Sequence, residues 1–504
     1  MKSSHGDDEK RKNRRREENL ILIPTHVQTV SCIRDGRRKK MRMLLQLLFC
    51  MLFDGSSDAM IISSSRATAP GCRRHGNNLC NLLAAHDYLY YLAPSLTQIN
   101  TEIQQKRRLH QITATSTKPT QLIDGLATSR LGLNPYQNTR HAPTVYHEHY
   151  SCPNWPVKHT FPMSKFEQTA YSLLTDSDNF LVLQQNKESN VDKPLISSVD
   201  DFYRPLDVVN FPLSFMTPPI QSDYLHNFLA GSLTKEECRQ IGFREQTSRP
   251  ELIERTVLEV AGTVLTAQLA LRYGLACNVA GGTHHADASR GKGFTILNDL
   301  AVASRLMTWS EDDYDGSDTT DDNNIDSLNK LYRGKQCVER VLVVDCDVHQ
   351  GDGTATFHYQ GNLLHDKLFT LDLHAENNWP FEKETPTYDV PLPDGCTDEA
   401  YLTVLSTSLE KALNEVQPQL VLYNAGVDPY HADKLGRLSL SLQGLLDRDL
   451  YVIQTCVDRG LPVACVVGGG YSKDVREVAQ RHALVHRVCA KVWRDNKMWE
   501  CATS

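Results

Sequence analysis

Four apolar residues run directly into three carboxylates and a histidine in Val341-Leu-Val-Val-Asp345-Cys346-Asp347-Val348-His349-Gln350-Gly351-Asp352. On an extended chain residues i and i+2 point to one side. Asp347 and His349 can therefore reach one metal ion, and Asp345 points the same way as a supporting group. The Asp-x-His pattern alone is a weak signal, because either residue could be a helix cap or a satisfied polar group. A second apolar run, Leu420–Asn424, leads through Asn-Ala-Gly to Asp428. Asp428 reads either as a turn residue or as a third ligand supplied by a neighbouring strand. Two carboxylates and one imidazole would leave a tetrahedral zinc ion one open position for water or substrate, which a catalytic zinc requires.

Two further segments carry reactive side chains. Gly281-Gly282-Thr283-His284-His285 follows the apolar run Cys277–Ala280. Adjacent histidines can be bland surface residues. At the same sheet edge as a metal they become candidates for proton transfer, each needing a carboxylate to hold its tautomer and raise its basicity. Asp345 and Asp352 are the two aspartates left over for that purpose. Pro462–Val467 runs into Gly468-Gly469-Gly470-Tyr471. Glycines there let backbone approach a substrate closely, and the tyrosine hydroxyl can donate to a developing oxyanion. The alternative is a ring that packs on the next helix.

These segments need a scaffold. From about Tyr146 onward strand and helix signals alternate. The apolar runs Cys277–Ala280, Arg340–Asp345, Leu368–Leu373, Leu420–Asn424 and Pro462–Val467 predict strands. Between and around them Pro250–Gly274, Asn298–Trp309, Asp398–Val416, Leu442–Arg459 and Asp474–Val492 predict helices, the first with proline at its first turn and glycine at its end. Near-continuous apolar strands separated by helices imply an α/β fold with a parallel sheet covered on both faces. Ligands in such sheets bind at the carboxyl ends of the strands. Residues 310–331 interrupt the rhythm with seven acids between Glu311 and Asp322 and read as an acidic surface insertion.

The chain has 504 residues, 40% of them hydrophobic, and a formal net charge of -7, which argues against a generally nucleic-acid-binding surface. The 14 cysteines include no C-x-x-C pair, and Cys277, Cys346 and Cys465 sit in apolar runs as buried reduced thiols do. Residues 1–145 read differently, as a largely disordered leader preceding a domain over 146–497. Residues 1–42 hold 13 Lys/Arg against 6 Asp/Glu. The basic run Lys10–Arg16 is a solvated tail or a nuclear signal. Met43–Phe53, at 11 residues, is too short for a membrane span. Residues 61–140 have the composition of a disordered stretch or an organelle transit segment. The favoured location is nucleus and cytoplasm; a start at Met60 would instead favour a plastid or mitochondrion.

Taken in order, G-G-x-H-H, D-x-D-x-H-x-G-D-G, N-A-G-x-D and G-G-G-Y resemble the histone-deacetylase family, over roughly Tyr146 to Val492. Gly291-Lys-Gly-Phe294 and Asp433-Lys-Leu-Gly436-Arg-Leu-Ser-Leu are most similar to its class IV branch. The resemblance implies a single arginase/deacetylase-like α/β domain and a hydrolase that removes acetyl, or longer acyl, groups from lysine in proteins such as histone tails. It implies one zinc ion per chain on Asp347, His349 and Asp428. It makes His285 the general base and acid, His284 its electrostatic partner, Asp345 the backing of His284, Asp352 that of His285, and Tyr471 the oxyanion donor. Gly293, Phe294, Trp379, Gly469 and Gly470 become substrate-binding residues, with Phe294 and Trp379 the aromatic walls of the acyl-lysine channel. Asp372 stands where class I members carry serine beside a monovalent-cation site, which leaves potassium open. The expected partners are acylated proteins and corepressor-type complexes, with neither sequence-specific nucleic acid binding nor a membrane span. Two rival readings remain: a silent acyl-lysine-binding scaffold, and a binuclear ureohydrolase, which would carry a further carboxylate where this chain has Gly351.

Overall fold

Strands made mostly of apolar residues must be covered on both faces, and five such strands form the middle of one sheet, with their few polar residues, such as Asp345, Asp372 and Asn424, buried. The computed structural model describes residues 140–176, 193–309 and 338–501. Within them β1 (Thr144–Val145), β2 (Leu275–Asn278), β3 (Val341–Asp345), β4 (Leu368–Ala375), β5 (Tyr388–Leu392), β6 (Leu420–Asn424) and β7 (Val463–Val466) pair in the order β1-β2-β7-β6-β3-β4-β5, parallel throughout. Val341 lies opposite both Leu368 and Leu420, and Cys277 opposite Cys465.

This order places the site. From β3 the chain steps to β4 and β5 on one side; from β6 it steps to β7 on the other. Neighbouring strands whose connections leave in opposite directions open a crevice at their carboxyl ends. Here the pair is β3 and β6, whose next residues carry Asp347, His349 and Asp428.

The helices that flank the sheet are α1 (Lys165–Thr175), α2 (Ser222–Leu229), α3 (Lys235–Ile241), α4 (Pro250–Tyr273), α5 (Asp299–Met307), α6 (Asp398–Val416), α7 (Leu442–Asp458) and α8 (Val475–Asp495). α4 packs on α5 and against β2 and β7, while α6, α7, α8 and α1 stack side by side in that order. Local chemistry sets the ends. Pro250 occupies the first turn of α4, and Gly274 stops it in the left-handed region at φ 83°. The Asn298 side chain accepts from the Ala301 N–H to start α5.

Two strands and three helices, α1 to α3, go beyond the sequence expectations. β1 has only two residues, and β5 is an edge strand of alternating exposure that contains Pro391, so neither shows a long apolar run. The sheet also starts two residues before Tyr146, the expected domain boundary: Thr144 and Val145 pair with Cys277 and Asn278. Further upstream, Arg140 donates to Ser197 Oγ at 2.7 Å and to the Pro194 carbonyl at 2.5 Å. The leader signals Lys10–Arg16, Met43–Phe53 and 61–139, and the acidic insertion 310–331, lie outside the described residues. Among the described residues Cys152, Cys238, Cys277, Cys346, Cys396, Cys456, Cys465 and Cys489 are free and buried. No helix among the described residues is long and apolar enough to cross a membrane.

A chain beginning at Arg140 keeps β1 and these anchors, and should unfold cooperatively like the full chain. A chain beginning at His147 loses the edge strand and should melt lower, by about 2–4 °C per kcal/mol lost. Equal melting temperatures for the two would show that β1 contributes nothing.

Candidate active site

The carboxyl ends of β3 and β6 deliver three buried side chains to one point. His349 Nδ1 lies 3.1 Å from Asp347 Oδ1 and 3.3 Å from Asp428 Oδ2. One ligand atom from each residue falls within 4.8 Å of the other two. Backbone fixes the carboxylates: the Gly469 N–H donates to Asp347 Oδ2 at 2.7 Å and the Val348 N–H to Asp428 Oδ1 at 2.9 Å. Burial raises both carboxyls. The charges of His284 and His349 nonetheless hold Asp347 well below the usual range, and the charge of Asp347 leaves Asp428 raised. Asp428 Oδ2 is buried and makes no hydrogen bond, and such atoms call for an ion or water. A Cβ added at Gly469 would collide with that same oxygen and with Asp347 Oδ2. The glycine thus keeps open the space in front of both carboxylates. Two oxygens, one imidazole nitrogen and an open approach fit a zinc-class ion.

The histidine loop follows β2. Gly282 adopts φ 87°, where a Cβ would also strike Asn424 Oδ1. Asp299, at the start of α5, accepts from the N–H groups of Gly282 at 2.9 Å and Thr283 at 2.7 Å. So held, His284 Nδ1 donates to Asp345 Oδ2 and His285 Nδ1 to Asp352 Oδ1, each at 2.7 Å. The two rings are 4.1 Å apart, yet they titrate oppositely. Burial disfavours charge on both. The carboxylates of Asp345 and Asp347 overcome it at His284, which rises to about 10. At His285 burial prevails, reinforced by the His284 cation, and its value falls to about 4. One histidine holds a charge and its neighbour stays neutral, with Nε2 free to accept a proton. Environments that push paired groups apart in this way separate acid and base roles.

The remaining expected site residues surround this core. Gly293 and Phe294 both have left-handed backbone, at φ 59° and 65°. For a bulky residue such as Phe294 this costs on the order of 1–3 kcal/mol. Its ring sits 5.6 Å from Phe243, 5.7 Å from Phe161 and 6.2 Å from Tyr471. Trp379 stands edge-on to His285 at 4.6 Å and lies 6.4 Å from His349. Gly469 reaches the carboxylates, whereas Gly470 approaches Val427 and His482 on the far side of the loop. Tyr471 is buried beside Asp428, Asp347 and Asp433; burial first, and then those charges, raise its hydroxyl well above 10, so it stays a donor. Both oxygens of Asp372 are engaged, one by the Gly351 N–H at 2.7 Å and one by His374 Nδ1 at 3.0 Å. A cavity of about 40 Å³ joins the triad, both histidines, Phe294 and Tyr471.

Sequence reasoning missed several residues at the site. Lys165, on α1, is buried and donates from Nζ to the Gly468 carbonyl at 2.9 Å. Burial lowers it to about 8 against the pull of Asp428 and Asp347. Asp433 Oδ2 accepts the Tyr471 N–H at 2.6 Å and so fixes the backbone of the tyrosine. Lys292 Nζ lies 2.5 Å from Asp352 Oδ2. Lys165 stands more than 100 residues before the histidine loop in a segment with no strand or metal-ligand signal, and Asp433 and Lys292 lie inside the two segments that carry the class IV resemblance, where neither is given a role.

The fold is a seven-stranded parallel α/β sheet whose switch point carries an Asp-His-Asp triad able to hold a metal ion and two histidine–aspartate pairs. The histone deacetylase domain model matches residues 221–313 and 323–487, and the chain belongs to the histone deacetylase family. An uncharacterized protein of Picosynechococcus sp. is 39% identical over 351 residues, which cover 70% of this chain and 99% of that protein. Histone deacetylase 2 of Arabidopsis thaliana is 30% identical over 235 residues, 45% of this chain and 53% of the relative. Histone deacetylase clr6 of Schizosaccharomyces pombe is 30% identical over 222 residues, 41% and 44% respectively. The chain thus spans about half the length of these two histone deacetylases.

Several histidines are buried in the neutral state. Burial lowers His285 and His147 to about 4 and His482 well below its ordinary 6.5. Each binds its proton more readily in the unfolded chain. Their contribution to stability is therefore complete above pH 6.5 and is lost as pH falls toward 4, by up to about 1.4 kcal/mol per pH unit for each proton taken up. Raised carboxyls such as Asp372, at about 6, and Asp433, at about 7, oppose this fall, so the test is a difference: between pH 7 and 4 the unaltered chain should lose stability more steeply than His147→Gln in denaturant unfolding, and parallel profiles would contradict it.

Proposed function

We propose that this protein is a zinc-dependent lysine deacylase that hydrolyses the side-chain amide of acetyl-lysine in protein substrates such as histone tails. The observation that carries the reading is a neutral imidazole, His285, backed by Asp352 and set beside the Asp347–His349–Asp428 triad in a cavity that also holds the Tyr471 hydroxyl. A zinc ion on the triad would polarise the amide carbonyl and bring the pKa of its water from about 15.7 toward ~7. The free Nε2 of His285 takes the proton of the attacking water while Asp352 holds Nδ1–H. The Tyr471 hydroxyl donates to the oxyanion that develops on the former carbonyl. His285 then returns its proton to the departing lysine nitrogen. The fixed charge of His284 keeps its neighbour acidic enough to give that proton up.

One ion per chain is favoured over two. A binuclear site needs another carboxylate at position 351, and even a Cβ there would press on Asp345 Oδ2 at 2.6 Å. The Gly291–Phe294 and Asp433–Leu440 segments support a class IV assignment. Comparing acetyl-, butyryl- and myristoyl-lysine peptides decides acyl length.

Purified protein should carry one equivalent of zinc by metal analysis, and chelation should abolish hydrolysis of an acetyl-lysine peptide. Asp428→Ala should lose both metal and activity. Two tightly bound manganese ions required for turnover would overturn the assignment. Tyr471→Phe removes only a hydroxyl, so it should retain metal and lose about 10²–10³ in turnover. Wild-type turnover in that variant would reduce Tyr471 to a packing residue.

A further inference from the structure

Lys292 stands at the join between the channel wall and the proton-transfer pair. Asp352 has two carboxylate oxygens, and both are used: Oδ1 by His285 at 2.7 Å and Oδ2 by Lys292 Nζ at 2.5 Å. The pair is largely shielded from water, with the Asp352 side chain 3% exposed and that of Lys292 17%. Charges in such surroundings interact strongly, because solvent screens them little.

Lys292 is also the first residue of a tight turn. The Lys292 carbonyl accepts from the Thr295 N–H at 3.0 Å and from Thr295 Oγ1 at 2.7 Å. The two central residues, Gly293 and Phe294, both have positive φ, which is the geometry of a type I′ turn. Phe294 enters that geometry only if the turn is held from outside. Its N–H is tied to the Ile241 carbonyl at 2.7 Å, and the other end of the turn is tied by Lys292 to Asp352. A Cβ at Gly293 would meet both His285 and Trp379, so the turn lies directly against the ring it helps to place.

We propose that Lys292 is a positioning residue: its ion pair with Asp352 couples the turn carrying Phe294 to the His285–Asp352 pair, so that the channel wall and the proton acceptor are set as one unit. This rests on the deacylase reading. Lys292 does not touch the reacting atoms; it acts through Asp352 on one side and Phe294 on the other. Because proton transfer is sensitive to displacements of about 1 Å, slackening this link should affect turnover as well as binding.

The test is a double-mutant cycle on the full-length, zinc-loaded protein with an acetyl-lysine peptide. Lys292→Met should lower kcat about tenfold and raise KM, with zinc content unchanged, and Lys292→Arg should recover most of the loss. In an Asp352→Asn background Lys292→Met should lower kcat no further, since its route of action is already cut. Should Lys292→Met fold poorly, Lys292→Gln, which keeps a donor toward Asp352 without the charge, carries the same cycle. Hydrogen exchange gives a readout that needs no turnover: exchange should quicken together in residues 291–296 and 350–355 of the Lys292 variant. Unchanged kcat and KM, equal losses in both backgrounds, or faster exchange confined to the turn would overturn the proposal. An inactive wild-type protein would sink the deacylase reading alone and leave the exchange experiment to judge Lys292.

Discussion

Five buried carboxylates, those of Asp345, Asp347, Asp352, Asp372 and Asp428, crowd one end of one sheet. Like charges so close, and so far from water, raise one another's pKa and oppose folding unless each is answered. The surroundings of the site can be read as those answers. His284 answers Asp345, His285 and Lys292 share Asp352, and His374 with the Gly351 N–H answers Asp372. The triad is answered by two backbone N–H groups and by His349, whose Nδ1 lies 3.3 Å from Asp428 Oδ2 without making a hydrogen bond to it. Under the proposed function that incompletely answered oxygen is where the cation would sit.

The same electrostatics divides the histidines. Both rings of the pair are buried and both have a carboxylate on Nδ1. They differ because the carboxylates of Asp345 and Asp347 both act on His284, whereas Asp352 alone does not outweigh burial at His285. A cation next door then makes a second protonation unfavourable at His285. The neutral base is therefore a property of the cluster and not of the histidine alone.

Rigid backbone keeps these groups in place. Four of the loops come straight off buried strands and are tied down: Gly469, after β7, to Asp347, after β3; Tyr471, after β7, to Asp433, after β6; and Gly282 and Thr283, after β2, to Asp299 at the start of α5. From behind, Lys165 grips the Gly468 carbonyl among Phe161, Phe166 and Tyr471. The Gly468–Tyr471 loop is thus fixed from three directions, which under the proposed function matters because donors preset in a water-poor site stabilise developing charge without reorganising.

The sequence by itself determined whatever depends on neighbours along the chain. Apolar runs marked the five central strands because a strand buried on both faces is mostly apolar and keeps only polar residues that find buried partners, and β6 and α6 have the very limits expected, Leu420–Asn424 and Asp398–Val416. Asp347 and His349 meet as expected, but through a bend that follows β3 and not through the two-residue period of the strand. Proline and glycine marked the ends of α4. Only the tertiary structure decided what depends on distant residues: local pattern left Asp345 and Asp352 unassigned between the two histidines, the family resemblance paired them as they are found, and the fold brought Asp428 to Asp347 across a separation of 81 positions and left His285 neutral. Lys165, Lys292 and Asp433 were illegible for the same reason. Each is an ordinary polar residue in its local sequence, and its role exists only because the β3–β6 crevice folds the other end of its interaction against it. The short edge strands β1 and β5 likewise take their structure from the strands they pair with.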